Sequence, residues 1–223
     1  MSLVIPCYNE EDGIRAVLED VPDVVDEVIV VDNNCTDRTA EIASEMGAKV
    51  VHEIKQGYGA ALKKGFSEAS GDIISTLDAD GMYPIEGIPY LIKVLEREKL
   101  DFISVRRRPD RIRGLQSWIR YTGDVVLSMT MYFLFGVKIL DSQSGMWVFR
   151  KSILNKVRLT SDGMPLSEEF KVEVFTNKGI RAREIAQIYH DRRIGKSKLR
   201  LFQDGFGNLL FLFKKRFGMN EHR

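Results

Sequence analysis

The chain has 223 residues, 44% of them hydrophobic and 29% charged, enough apolar material for one domain with a real core. A formal net charge of +1 gives no polyanion-binding signature, so no nucleic-acid partner is expected. Two cysteines, Cys7 and Cys35, stand in no metal-type pair and exclude a disulfide framework, which points to a reduced, cytoplasmic protein.

In chain order, Ser2 to Ile5 predicts a strand that begins almost at the first residue and leaves no room for a signal peptide. Asn9 suits the cap of a helix opening with Glu10 and Glu11, since acids favour a helix N-terminus. Val28 to Val31 is a second strand with no polar alternation, so both of its faces are expected to be buried. Thr36 to Met46 reads as helix, Lys49 to Val51 as strand, Ala60 to Ala69 as helix and Asp72 to Leu77 as strand. Pro84 to Glu98 is helical and Phe102 to Val105 is a fifth strand. Strands alternating with helices predict an α/β fold with a mostly parallel sheet covered on both faces. Such sheets bind ligands beyond the carboxyl ends of their strands, where the polar loops Pro6 to Glu10, Asp32 to Asp37 and Asp78 to Tyr83 fall.

The second half is less regular. Gly114 to Phe135 reads as a helix that becomes strongly apolar, Ser144 to Phe149 as strand, Leu166 to Asn177 as helix and Ala182 to Ile188 as strand. Leu199 to Phe217 is a helix with Phe202, Phe206, Leu209, Leu210, Phe213 and Phe217 at helical spacing, suited either to packing on the domain or to a membrane interface. The uncharged run Val125 to Val137 has 13 residues, short of the about 20 that span a bilayer. Positive charge is concentrated twice. Six arginines face one acid between Arg106 and Arg120, and nine Lys or Arg face three acids from His190 onward. Both regions suit phosphates or an anionic membrane surface.

The chemistry centres on "LDADGMYP", residues 77 to 84. In an extended segment Asp78 and Asp80 point to the same side. Two carboxylates there suit a hard divalent ion, Mg²⁺ or Mn²⁺, completed by substrate phosphates and water. A solvated turn is the competing reading. No Walker sequence and no G-x-G-x-x-G follows the first strand. Gly57-Tyr58-Gly59 fits a helix-entry turn as well as a ligand loop. His52 and His190 are lone histidines, read as structural.

Six segments in order carry a resemblance: "VIPCYNEEDGI", "VVDNNCTDRTAEIA", "KQGYGAALKKGF", "STLDADGMYP", "DSQSGMWVFRK" and "HDRRIGKSKL". Together they resemble an inverting family 2 glycosyltransferase of the GT-A fold, and within it the dolichyl-phosphate (polyprenyl-phosphate) sugar synthases. The resemblance implies a GT-A domain over residues 1–198 and a basic amphipathic helix over 199–223. It implies a base and ribose pocket from Pro6, Tyr8, Asn9, Glu10, Asp32, Lys55 and Gly57, with Asp78 also at the nucleotide. Asp80 would be the main metal ligand. Ser142, Gln143, Ser144 and Gly145 would lie beside the acceptor phosphate, with Arg106 and Arg120 foremost among Arg106, Arg107, Arg108, Arg111, Arg113 and Arg120. Arg192, with Gly195, Lys196, Ser197 and Lys198, would close over the diphosphate. Asp80, Arg192, Lys198 and Ser144 are the expected catalytic set.

The implied reaction moves a sugar from a nucleoside diphosphate sugar, UDP-linked by preference over GDP-mannose, to dolichyl or polyprenyl phosphate at the inner face of the cell membrane. Met82 stands where many relatives carry a metal-assisting Gln, and a thioether binds Mg²⁺ poorly. The C-terminal membrane helices of some relatives have no counterpart in the sequence. Two other functions compete. A soluble transferase acting on a saccharide hydroxyl would need Glu168 or Glu169 as general base. A non-catalytic nucleotide-sugar-binding module would have no reason to keep both the acidic pair and the late basic stretch.

Overall fold

The computed structural model describes residues 1–109, 114–189 and 201–218. The strands are β1 (Ser2–Cys7), β2 (Glu27–Asp32), β3 (Lys49–His52), β4 (Ile73–Thr76), β5 (Phe102–Pro109), β6 (Trp147–Arg150) and β7 (Ala182–Tyr189). They form one sheet in the order β3-β2-β1-β4-β6-β5-β7. β6 runs antiparallel to both β4 and β5, and every other pairing is parallel. The mostly parallel α/β sheet expected from the sequence is therefore the fold, with one reversed strand inserted at the centre.

The helices are α1 (Glu11–Glu19), α2 (Thr39–Glu45), α3 (Tyr58–Glu68), α4 (Ile88–Arg97), α5 (Gly114–Phe135), α6 (Leu166–Thr176) and α7 (Leu201–Phe217). Period-2 alternation divides the core between the two faces of the sheet. Leu3, Ile5, Val30, Ile103, Val105 and Val148 pack against Ile14 and Val17 of α1 and Leu91 and Leu95 of α4. Val4, Ile29, Val31, Ile74, Phe102 and Phe149 pack against Leu62 and Phe66 of α3 and Phe170 of α6. Phe170 meets Phe102, Trp147 and Phe149 edge-on at centroid distances of 5.0 to 5.2 Å, a geometry favoured by the ring quadrupoles. A third, smaller core joins Leu127 and Met131 of α5, Val172 of α6 and Leu212 of α7.

Two sequence expectations change locally. Asn9 does not cap α1. It sits in the left-handed region at φ 54°, and its Oδ1 accepts the Thr36 N–H at 2.7 Å, tying the loop after β1 to the loop after β2. The second helix begins at Thr39, because Asp37 turns back to accept the Thr39 N–H at 3.0 Å. Among the described residues no helix is long and apolar enough to cross a membrane.

Candidate active site

A cleft of about 870 Å³ opens at the carboxyl ends of β1, β4 and β5. One end is walled by Pro6, Tyr8, Glu10, Asn33 and Tyr58, the floor by Asp78 and Asp80, and the far end by Arg107, Asp124, Gln143 and Asn208. Ile119, Val126 and Leu127 of α5 and Phe206 and Leu209 of α7 make an apolar flank.

Asp78 and Asp80 come together through a turn, not through the extended segment expected: β4 ends at Thr76, and Gly81 takes φ 68° to close the bend. Two glycines let the chain pack tightly about this turn. A Cβ at Gly13 of α1 would lie 2.5 Å from the Ala79 carbonyl oxygen, and one at Gly145 would lie 2.2 Å from the Tyr58 hydroxyl. The Tyr58 hydroxyl donates to Asp78 Oδ1 at 3.2 Å, and the Met82 N–H donates to Asp80 Oδ1 at 3.1 Å. Burial, and then the charge of Asp80, push Asp78 up to about 7. A divalent cation would relieve that repulsion, and the carboxylate pair fits the hard-oxygen donor set of Mg²⁺ or Mn²⁺, with substrate phosphates to supply further ligands. Among the described residues no third His, Cys, Asp or Glu joins the pair as a ready-made metal cluster. Met82 lines the cleft beside Asp80.

The remaining sequence-predicted residues divide. Pro6, Tyr8, Glu10, Asp78, Asp80 and Gln143 line the cleft. Asp32 lies behind the wall, where its carboxylate accepts the Cys35 N–H at 2.7 Å and meets His52 Nδ1 at 2.8 Å. Asn9 braces the two loops as described above. Lys55 Nζ pairs with Asp162 Oδ2 at 2.5 Å, and the Gly57 N–H donates to Asn33 Oδ1 at 2.8 Å. Those two interactions brace the wall around Asn33 and Tyr58 from outside. Ser142 and Ser144 are fully buried beneath the cleft. The Ser144 hydroxyl meets the Tyr83 hydroxyl at 3.4 Å and accepts the Met146 N–H at 3.4 Å, so its role in the fold is to brace this loop.

Arg106 is half-buried but does not line the cleft. Arg120 lies on α5, its side chain outside the described set, and Arg111, Arg113, Arg192, Gly195, Lys196, Ser197 and Lys198 fall outside the described residues. The cation that reaches the cleft among those described is Arg107. Its Nε bonds Asp141 Oδ2 at 2.8 Å and its Nη2 bonds Asp124 Oδ2 at 3.0 Å. Burial would raise the Asp141 carboxyl, yet the charge and hydrogen bonds of Arg107 outweigh it and hold the group at about 2.

Sequence reasoning named Tyr58 only within a helix-entry or ligand loop and missed Tyr83, Asp124, Asp141 and Lys171, all of which hold site residues in place. For Arg107 a signal existed. β5 runs on to Pro109, and alternation puts residue 107 on the face of Ile103 and Val105.

Solved structures with this architecture include a glucosyl-3-phosphoglycerate synthase from Mycobacterium tuberculosis in complex with Mn²⁺, UDP and glucosyl-3-phosphoglycerate. It matches with a TM-score of 0.81 at 23% identity over 99% of this chain and 80% of that one, which is a likeness of fold. The model of glycosyl transferase family 2 matches residues 2–158. The chain belongs to that family and is a glycosyltransferase. It is 32% identical to the low-salt glycan biosynthesis hexosyltransferase Agl6 of Haloferax volcanii over 95% of this chain, and spans 52% of that relative's length. It is 30% identical to a dolichyl-phosphate hexose transferase of the same organism, over 92% of this chain and 89% of the relative.

Proposed function

We propose that the protein transfers a hexose from a nucleoside diphosphate sugar, UDP-linked by preference, to dolichyl or another polyprenyl phosphate at the cytoplasmic face of a membrane, with inversion. The observation that carries this reading is the continuity of the cleft with two exposed apolar stripes. On α5, Trp118, Tyr121, Val126, Met129, Tyr132 and Phe133 share the face opposite the buried Leu127 and Met131. On α7, Phe206, Leu210, Phe213 and Phe217 form a stripe beside Lys214 and Arg216. Val126 and Phe206 belong both to the stripes and to the cleft lining, so among the described residues these apolar side chains join the cleft to the exposed stripes, beside Thr122, Gln203 and Asp204. Apolar side chains flanked by Lys and Arg suit the interface of an anionic bilayer.

A lipid phosphate monoester is largely dianionic near neutral pH, its second pKa being about 6, so the acceptor needs no general base. Its oxygen forms the new bond to the anomeric carbon as the bond to the diphosphate breaks on the opposite side, which inverts the centre. Asp78 and Asp80 would hold Mg²⁺ or Mn²⁺, which neutralises charge on the departing diphosphate. Arg107 places a buried positive charge at the acceptor end, with guanidinium geometry suited to phosphate. By family resemblance Arg192 and Lys198 close over the diphosphate.

Relatives' names support this acceptor, and the UDP-bound structural neighbours support the donor class. A hydroxyl acceptor would need a free general base. Glu169 is engaged by the Thr160 hydroxyl and N–H, the Ser161 N–H and Lys215. Glu168 lies under Gln143 and outside the cleft lining. The testing experiment supplies radiolabelled UDP- and GDP-sugars with Mn²⁺ and dolichyl phosphate in detergent. Label entering the organic phase with one UDP-hexose is the expected result. Donor hydrolysis with no lipid product would overturn the acceptor assignment.

A further inference from the structure

The loop Asp141–Met146 between α5 and β6 brings Gln143 to the far end of the cleft, and side chains hold most of it. The Asp141 N–H donates to Glu184 at 2.9 Å, the Ser142 N–H to the Ser128 hydroxyl at 3.1 Å and the Gly145 N–H to the Tyr83 hydroxyl at 2.7 Å. On the carbonyl side stands Lys171 of α6, fully buried. Its Nζ donates to the carbonyl oxygens of Asp141 at 3.0 Å, Ser142 at 2.8 Å and Ser144 at 2.8 Å, which uses all three of its N–H donors.

Three converging carbonyls in a dry site create a negative pocket that a compact ammonium fits and a planar guanidinium does not. The loop so fixed carries two functional consequences. Asp141 receives the Arg107 backbone N–H at 2.9 Å and its guanidinium at 2.8 Å, and so aims that cation into the cleft. Gln143 is fixed at both ends of its amide: it donates to Glu168 and accepts from Asn208 Nδ2 of α7 at 2.8 Å.

We propose that Lys171 is a positioning residue of the acceptor end, an internal cation that organises the Asp141–Met146 loop and thereby sets Arg107 and Gln143 for the acceptor phosphate. It rests on the polyprenyl-phosphate reading above for the ligand, though not for the loop. Burial lowers the Lys171 ammonium, the Asp141 charge works against that, and the three carbonyl acceptors suit the charged form.

The test compares wild type with Lys171→Met, which keeps the length of the side chain and loses the charge and the donors. Two readouts are taken: amide hydrogen exchange, and calorimetric binding of UDP with Mn²⁺ and separately of farnesyl phosphate, a short polyprenyl phosphate. The expected result has amides 141–146 exchanging about a hundred-fold faster while β1 and β4 are unchanged. Farnesyl phosphate should weaken about ten-fold or more. UDP affinity should stay within about two-fold, as for a distant independent site. Unchanged loop exchange, loss of protection spread over the whole chain, or equal weakening of UDP and farnesyl phosphate would each overturn the proposal. If wild type binds no farnesyl phosphate, the acceptor reading fails, and Lys171 stands or falls on the exchange and UDP results. Should Lys171→Met not fold, Lys171→Gln, which keeps two donors, makes the same comparison. Failure of both to fold overturns a local role.

Discussion

Replacing Arg107 by Met tests both the charge balance under the cleft and its use. In the folded protein Asp141 is held at about 2, against an ordinary 3.8, because the guanidinium outweighs burial. That difference is worth roughly 2 kcal/mol at neutral pH. Removing the cation also leaves Asp124 short of a partner, so a total loss of about 3 to 5 kcal/mol is expected, as when one member of a buried ion pair is deleted. The sign with pH follows. In wild type the Asp141 contribution is complete above the unfolded carboxylate value and is lost as pH falls toward about 2. In Arg107→Met burial is no longer outweighed, so the folded Asp141 value rises and the carboxyl takes up a proton at higher pH. The penalty is then greatest at pH 7 and shrinks on acidification. Urea unfolding of both proteins at pH 7, 5 and 4 reads it directly. An equal penalty at pH 7 and pH 4 would refute the assignment of Asp141 as the principal partner. Transfer to polyprenyl phosphate should fall by about a hundred-fold, the usual scale for one preorganised charge contact.

Asp80→Asn should leave the unfolding midpoint nearly unchanged and reduce transfer by about a hundred-fold or more, with a raised Mn²⁺ requirement in a metal titration. Because Asp78 is pushed up to about 7, protons compete with metal for it, and half-saturation by Mn²⁺ should require about ten-fold more metal at pH 6 than at pH 8. Gly13→Ala puts a Cβ 2.5 Å from the Ala79 carbonyl oxygen, so the acidic turn must move; a destabilisation of about 1 to 3 kcal/mol and a weakened Mn²⁺ response are expected by thermal unfolding and metal titration. Phe213→Glu combined with Phe217→Glu, both on the exposed side of α7, should abolish co-sedimentation with anionic vesicles while the folding transition stays in place.

The first half of the fold was legible because its strands are short, apolar on both faces and end in polar loops. Leu3, Val4 and Ile5, then Ile29, Val30 and Val31, are fully buried, as their unbroken apolar runs require. The acidic pair was legible for the same reason, since Asp78 stands two residues beyond the end of β4. β6 was not legible as reversed: "MWVFR" carries no directional signal, and only its insertion between β4 and β5 fixes its sense. Asp32 and Lys55 were placed at the nucleotide by family resemblance alone. The structure gives them protein partners, His52 and Asp162, that lie far enough along the chain for no local pattern to reveal them.

The acceptor end was the hardest part to read, because its order comes from buried polar groups rather than from periodicity. A lysine in "SEEFKVEVF" looks like a solvated helix residue, and a charge on a helix is ordinarily exposed. Lys171 is buried because three carbonyls of a loop some thirty residues earlier converge on it. Its helix neighbours Glu168 and Glu169 are buried too, and each is committed differently: Glu169 to the Thr160–Ser161 backbone, Glu168 to Gln143. Burial pushes the Glu168 carboxyl up toward its neutral form, and among the described residues Arg107 and Lys171 are the cations nearest Gln143 and the Asp141–Met146 loop. Glu168 and Glu169 are the two carboxylates the sequence offered for activating a hydroxyl acceptor. Here Glu169 is committed to a loop brace and Glu168 lies under Gln143 outside the cleft lining, while Asp124 in the lining is paired with Arg107, an arrangement in keeping with the proposal of an acceptor that arrives already as an anion.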